Sequence, residues 1–210
     1  MDSVYQHVLA WRDALHEEGL DLSVWRIHRR IGMSGGLFLK ALERELGMTL
    51  DDDRAERLRQ SHARGLLSRL DQIGPLPGAR ELLRTLSSMR VPWAIATSGA
   101  EKTARPTLVM LDVPEGTPVI TRDQVAYAKP NPDLFLAAAE RLGAPPGDCF
   151  VVGDSIWDLL AAQRAGALGV GVLSGGYGRE ELEEAGAYRV YEDPADLLAH
   201  LDELGIRAGS

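Results

Sequence analysis

Apolar residues in the first seventy positions recur every three or four residues; beyond a break rich in glycine and proline they gather into short continuous runs. The first pattern is that of helices with one buried face, the second that of strands buried on both faces. Val4, Val8, Leu9, Ala14 and Leu15 mark the inner face of a first helix. Ser34 is placed to cap another, in which Leu37, Phe38, Ala41, Leu42 and Leu46 share a face. Asp51 to Asp53 open a charge-rich helix that runs to about Asp71 and turns Leu58, Leu66, Leu67 and Leu70 inward. Gly74-Pro75-Leu76-Pro77-Gly78 cannot continue a helix. It divides the chain into a helical unit over 2–73 and a second unit over 74–210.

In the second unit helix and strand alternate. Helices are expected over 79–89, 101–110, 132–142 and 155–165, and strands over 91–96, 118–121, 149–152 and 168–173. Residues 186–204 add a short strand and a last helix started by Asp193-Pro194. This alternation predicts the α/β class, with a parallel sheet doubly wound by helices on both faces. No repeat or low-complexity tract interrupts it.

Composition narrows the function classes. Of 210 residues, 45% are hydrophobic and 26% charged, the balance of a globular chain. Lys and Arg number 23 against 31 Asp and Glu, a net charge of −8, which speaks against a broad nucleic-acid surface but not against a small anion held by a local cluster. The one cysteine, Cys149, has no partner for an internal bridge, so a reducing compartment is expected. No apolar run approaches the roughly 18 residues of a membrane helix. The expected location is cytoplasmic, with no membrane partner.

In an open parallel sheet, ligands bind beyond the carboxyl ends of the strands. Three segments there carry chemistry. Thr97-Ser98-Gly99 offers a hydroxyl and free amides to a phosphate at a helix start, or is simply a helix cap. Lys129, ahead of Pro130-Asn131-Pro132-Asp133, is a cation on a stiff loop that could neutralise a phosphoryl oxygen, or a surface lysine. Asp154 and Asp158, in Gly153-Asp154-Ser155-Ile156-Trp157-Asp158, place two hard carboxylates on one helix face, suited to Mg²⁺ or to the helix dipole.

Taken together, the three segments resemble the second, third and fourth motifs of the haloacid dehalogenase-like phosphohydrolases. The nearest subgroup is the one of phosphoglycolate phosphatase and β-phosphoglucomutase. The likeness covers nearly the whole chain: the helical unit is similar to the family's cap, and Ser174-Gly175-Gly176-Tyr177-Gly178 with Asp193-Pro194-Ala195-Asp196-Leu197 to its usual ending. The resemblance implies a Mg²⁺-dependent phosphatase of a small phosphorylated metabolite, acting through an aspartyl phosphate. Thr97, Ser98 and Gly99 would bind the phosphoryl group, Lys129 would stabilise its charge, Asp154 would ligate the metal and Asp158 would support it. A phosphomutase, or a non-catalytic protein that keeps the phosphate and metal site, stays open as an alternative.

The resemblance also implies a first motif, an apolar strand ending in Asp-x-Asp-Gly-Thr, that supplies nucleophile and general acid. Asp2-Ser3-Val4-Tyr5 matches the run that follows it. An upstream extension carrying that strand is therefore expected, lying centrally between the strands that end at Thr97 and Gly153. In the cap, Arg26 with His28, Arg29 and Arg30 runs into a flexible Gly32-Met33-Ser34-Gly35-Gly36 turn. His28, Arg29, Arg30 and Ser34 are the candidates for substrate choice. Trp25 and Trp93 are read as packing residues, and His7, His16 and His62 as surface or helix positions.

Overall fold

A computed structural model describes residues 1–207. Four helices come first: α1 (Val4–Glu17), α2 (Val24–His28), α3 (Gly35–Leu46) and α4 (Asp52–Leu67). Val8, Trp11 and Leu15 fall on one face of α1 and meet Ile27, Phe38, Leu42 and Leu58 in a core drawn wholly from this helical part. The Trp11 and Phe38 rings stack with centroids 4.2 Å apart. The Ser34 hydroxyl accepts from the Leu37 amide at 3.4 Å and starts α3; the Asp51 carboxylate accepts from the Arg54 amide at 2.7 Å and starts α4. Helix α2 escapes periodicity analysis because it has five residues and buries only Ile27. Trp25 consequently does not pack: it is 63% exposed, with the Arg26 guanidinium 5.1 Å above its ring.

The remainder is α/β: α5 (Ala79–Ser88), β1 (Ile95–Ala96), α6 (Glu101–Val109), β2 (Val119–Ile120), α7 (Asp133–Leu142), β3 (Phe150–Gly153), α8 (Ile156–Ala165), β4 (Leu168–Val172), α9 (Arg179–Glu184), β5 (Ala187–Tyr191) and α10 (Pro194–Ala199). All strand pairs are parallel, but they form two sheets, β1-β2 and β3-β4-β5, where one was expected. The first ladder holds only Ile95↔Val119 and Ala96↔Ile120, so 91–94, 118 and 121 stay outside the strands. Strands β1 and β3 are joined by packing alone: Ala96 and Val151 share a cluster with Phe135, Ala161 and Ala162. The second sheet buries Val170, Val172 and Tyr191 against Leu82, Leu197, Leu201 and Leu204.

The stretch after α4 leads from the helical part to the α/β part, and the residues before α1 run beside it where the Asp2 amide donates to the Gly74 carbonyl at 2.8 Å. A few residues on, Gly78 takes φ +71° and lies so close to α10 that a Cβ there would sit 2.4 Å from the Ala195 Cα. Only glycine satisfies both demands. No helix among the described residues is long and apolar enough to cross a membrane.

Candidate active site

Strand β3 ends at Gly153, and the chain turns directly into α8, whose first turn carries Asp158. The turn is tight because Gly153 lacks a side chain: a Cβ there would lie 2.2 Å from that of Asp158. Ser155 is the cap of α8, and its hydroxyl donates to Asp158 Oδ2. Lys129 Nζ donates to Asp158 Oδ1 at 2.6 Å, with side chains only 10% and 7% exposed. Asp158 thus has both oxygens engaged by the protein. An ion pair this deep persists because each charge answers the other and the serine satisfies what remains.

Asp154 stands beside this pair, and no side-chain donor reaches its carboxylate among the described residues. Burial, joined by the negative charge of Asp158, pushes its pKa up; Lys129 and the amino group of Met1 pull the other way. Gly175, just past β4, presses on it: a Cβ there would be 2.0 Å from the Asp154 carbonyl oxygen. Asp154 is therefore a half-buried carboxylate with incomplete charge compensation. That environment fits a hard cation, which asks for oxygen ligands and rewards a carboxylate that lacks a partner.

Thr97, Ser98 and Gly99 follow β1. The Thr97 hydroxyl accepts from the Gly99 amide at 3.1 Å, which leaves its proton for another acceptor. Ser98 Oγ is buried with no hydrogen-bond partner among the described residues, as is Ser174 Oγ after β4. Orphaned hydroxyls at strand ends fit an anion with several oxygens. These residues make no hydrogen bond to Lys129 or Asp158; packing brings the segments together. Ala96, which precedes Thr97, shares one cluster with Ala128, which precedes Lys129, and another with Val151 of β3.

Each of the four cap candidates has a partner within the protein. His28 Nε2 lies 2.8 Å from the Gly175 carbonyl oxygen. Arg29 pairs with Glu181 and sits 4.2 Å above the Tyr177 ring. Arg30 pairs with Glu45 within the helical part, and Ser34 starts α3. The Gly32 turn, expected to be flexible, is seated: its φ is +99°, and a Cβ would come 2.6 Å from Ser155 Oγ. Sequence reasoning missed Ser155, Trp157, Tyr177 and Glu181 as site neighbours. Ser155 was legible as a cap. Tyr177 showed only as part of the Ser174–Gly178 run and Glu181 not at all, since they meet Arg29 across about 150 residues of chain.

The sequence matches the haloacid dehalogenase-like hydrolases over residues 2–166, and the chain belongs to that family. It is 29% identical over 177 residues to phosphoglycolate phosphatase of Rhodospirillum rubrum, covering 81% of this chain and 73% of that enzyme. Hexitol phosphatase A of Escherichia coli is 38% identical over 94 residues, which is 45% of this chain and 44% of that enzyme, so the chain spans less than half of that relative. The crystal structure of a hydrolase from Pseudomonas syringae superposes with a TM-score of 0.94 at 57% identity, over 97% of this chain and 93% of that one.

Proposed function

We propose that the protein is a Mg²⁺-dependent phosphatase of a small phosphorylated metabolite, in which 2–73 form a cap and 74–210 the core, of which the final three residues lie outside the described ones. The single observation that carries this reading is the buried Lys129–Asp158 pair beside Asp154 at the end of β3. Asp154 would hold the metal; Asp158, already bound to Lys129 and Ser155, would fix their orientation rather than ligate. Further oxygen ligands would come from the Asp-x-Asp strand that the resemblance implies, from substrate and from water. When bound, Mg²⁺ supplies charge neutralisation at the phosphoryl oxygens.

The chain's own residues have distinct parts. Thr97 and Ser98 hydroxyls and the local amides bind phosphoryl oxygens, and Lys129 balances the charge that grows on them. Phosphate leaves through an aspartyl phosphate, formed by the first aspartate of an Asp-x-Asp strand, with the second protonating the leaving oxygen. That strand is part of the proposal. Its support is that β1 and β3 belong to separate sheets with no ladder between them among the described residues, while Ala96 and Val151 both reach the same cluster on α7 and α8.

The test uses protein that includes this strand. Mg²⁺-dependent hydrolysis of an aryl phosphate is expected, and Asp154→Asn should lower kcat/KM by about 100-fold or more. Hydrolysis indifferent to both chelation and Asp154→Asn would overturn the reading. Return of the phosphoryl group to a sugar instead of water would mark a phosphomutase with the same machinery.

A further inference from the structure

The cap segment that follows α2 rests on the same pieces of core that hold the two aspartates. The Arg29 carbonyl oxygen accepts two hydrogen bonds from the core, from Trp157 Nε1 at 3.1 Å and from the Tyr177 hydroxyl at 3.0 Å. The Arg29 guanidinium lies over the Tyr177 ring and pairs with Glu181 of α9. The His28 ring lies between Tyr5 and Tyr177, with centroids 5.6 and 5.8 Å away. This is a dense set of contacts for five cap residues.

Two of these contacts continue into the site. Gly32 sits directly against Ser155 and Trp157, and Ser155 donates to Asp158, whose other oxygen accepts a hydrogen bond from Lys129. His28 bonds to the carbonyl of Gly175, whose Cα leans on the backbone of Asp154. One path therefore ends at Asp158 and the other at Asp154. Close packing transmits such displacements, because neither glycine leaves slack to absorb them.

We propose that seating of His28–Gly32 on the core sets the positions of Asp154 and Asp158, with Trp157, Tyr177 and Glu181 as positioning residues. The consequence for turnover rests on the phosphatase reading; the mechanical coupling does not. Single hydrogen bonds, a cation–π contact and a half-exposed ion pair are individually weak, so removing one loosens the seat without unfolding either part.

Amide hydrogen exchange decides the coupling in Tyr177→Phe, which keeps the ring and loses the donor, and in Glu181→Gln. Exchange of 28–33 and of 154–158 should quicken together, by about five-fold in Tyr177→Phe and about two-fold in Glu181→Gln, with α4 unchanged. In the same variants kcat for an aryl phosphate should fall by the same factors while KM moves little. Trp157→Phe, with its indole donor gone, gives the same reading should Tyr177→Phe not fold. If 28–33 loosen while 154–158 and kcat stay as they were, the coupling is refuted; if neither segment changes, the seat is not held by these residues. A wild type without hydrolysis would defeat the phosphatase reading and leave the exchange result standing.

Discussion

At Lys129 the local sequence and the folded surroundings say different things. Its neighbours Pro130, Asn131 and Pro132 announce a stiff loop, yet only the fold shows the ammonium buried on Asp158. Lys129→Ala would leave a carboxylate in the interior with Ser155 as its one donor. The expected loss is about 3–5 kcal/mol, read from urea unfolding. Lys129→Met combined with Asp158→Leu should recover most of it, because no charge is then stranded. A single-variant loss below about 1 kcal/mol would show that the pair is screened like one at the surface. The sequence placed Asp154 and Asp158 at a helix start, where glycine, hydroxyl and carboxylate residues have local reasons to cluster, but Thr97-Ser98-Gly99 does not open one: α6 starts at Glu101 with Ala100 as its cap. Which aspartate stays open came only from the resemblance, which gave the metal to Asp154, because in the fold it depends on where Lys129 arrives from another segment.

Helices were the most legible elements, since their periodicity is written in adjacent turns. What α1 and α4 do to each other was not. His7 and His62 were read as surface or helix positions, but their rings stack at 5.3 Å with Nδ1 of one 3.2 Å from Nε2 of the other, and His62 lies against Trp11. Burial pushes His7 down to about 4, and burial with the nearness of His7 holds His62 well below its usual value. Both are thus neutral in the fold, whereas in the unfolded chain they take up protons below about pH 6.5. Their contribution is intact above that pH and is lost as pH falls from about 6.5 towards 4. Stability should decline by up to about 1.4 kcal/mol per histidine per pH unit in this window. His62→Phe, which keeps the stack on Trp11, should roughly halve the slope of guanidinium-unfolding free energy between about pH 6.5 and 5. An unchanged slope would mean the rings are protonated in the fold.

Across the whole molecule, the helical and α/β parts meet at the paired stretches around Asp2 and Gly74 and again at the His28–Gly32 seat. Gly78 ties the first of these to α10. Gly78→Ala adds a Cβ against Ala195 at a φ of +71°, so it should cost about 1–3 kcal/mol, seen as a lower unfolding midpoint. A midpoint equal to wild type would show that α10 yields there. By itself, the order of residues determined the longer helices and the α/β alternation, because each rests on near neighbours along the chain. Only the tertiary structure decided that the strands form two sheets, that Arg29 and Arg30 answer Glu181 and Glu45, and that a glycine of the cap bears on the serine holding Asp158. Those outcomes depend on pairs far apart in sequence, and their energies are set by burial and packing that no local pattern encodes.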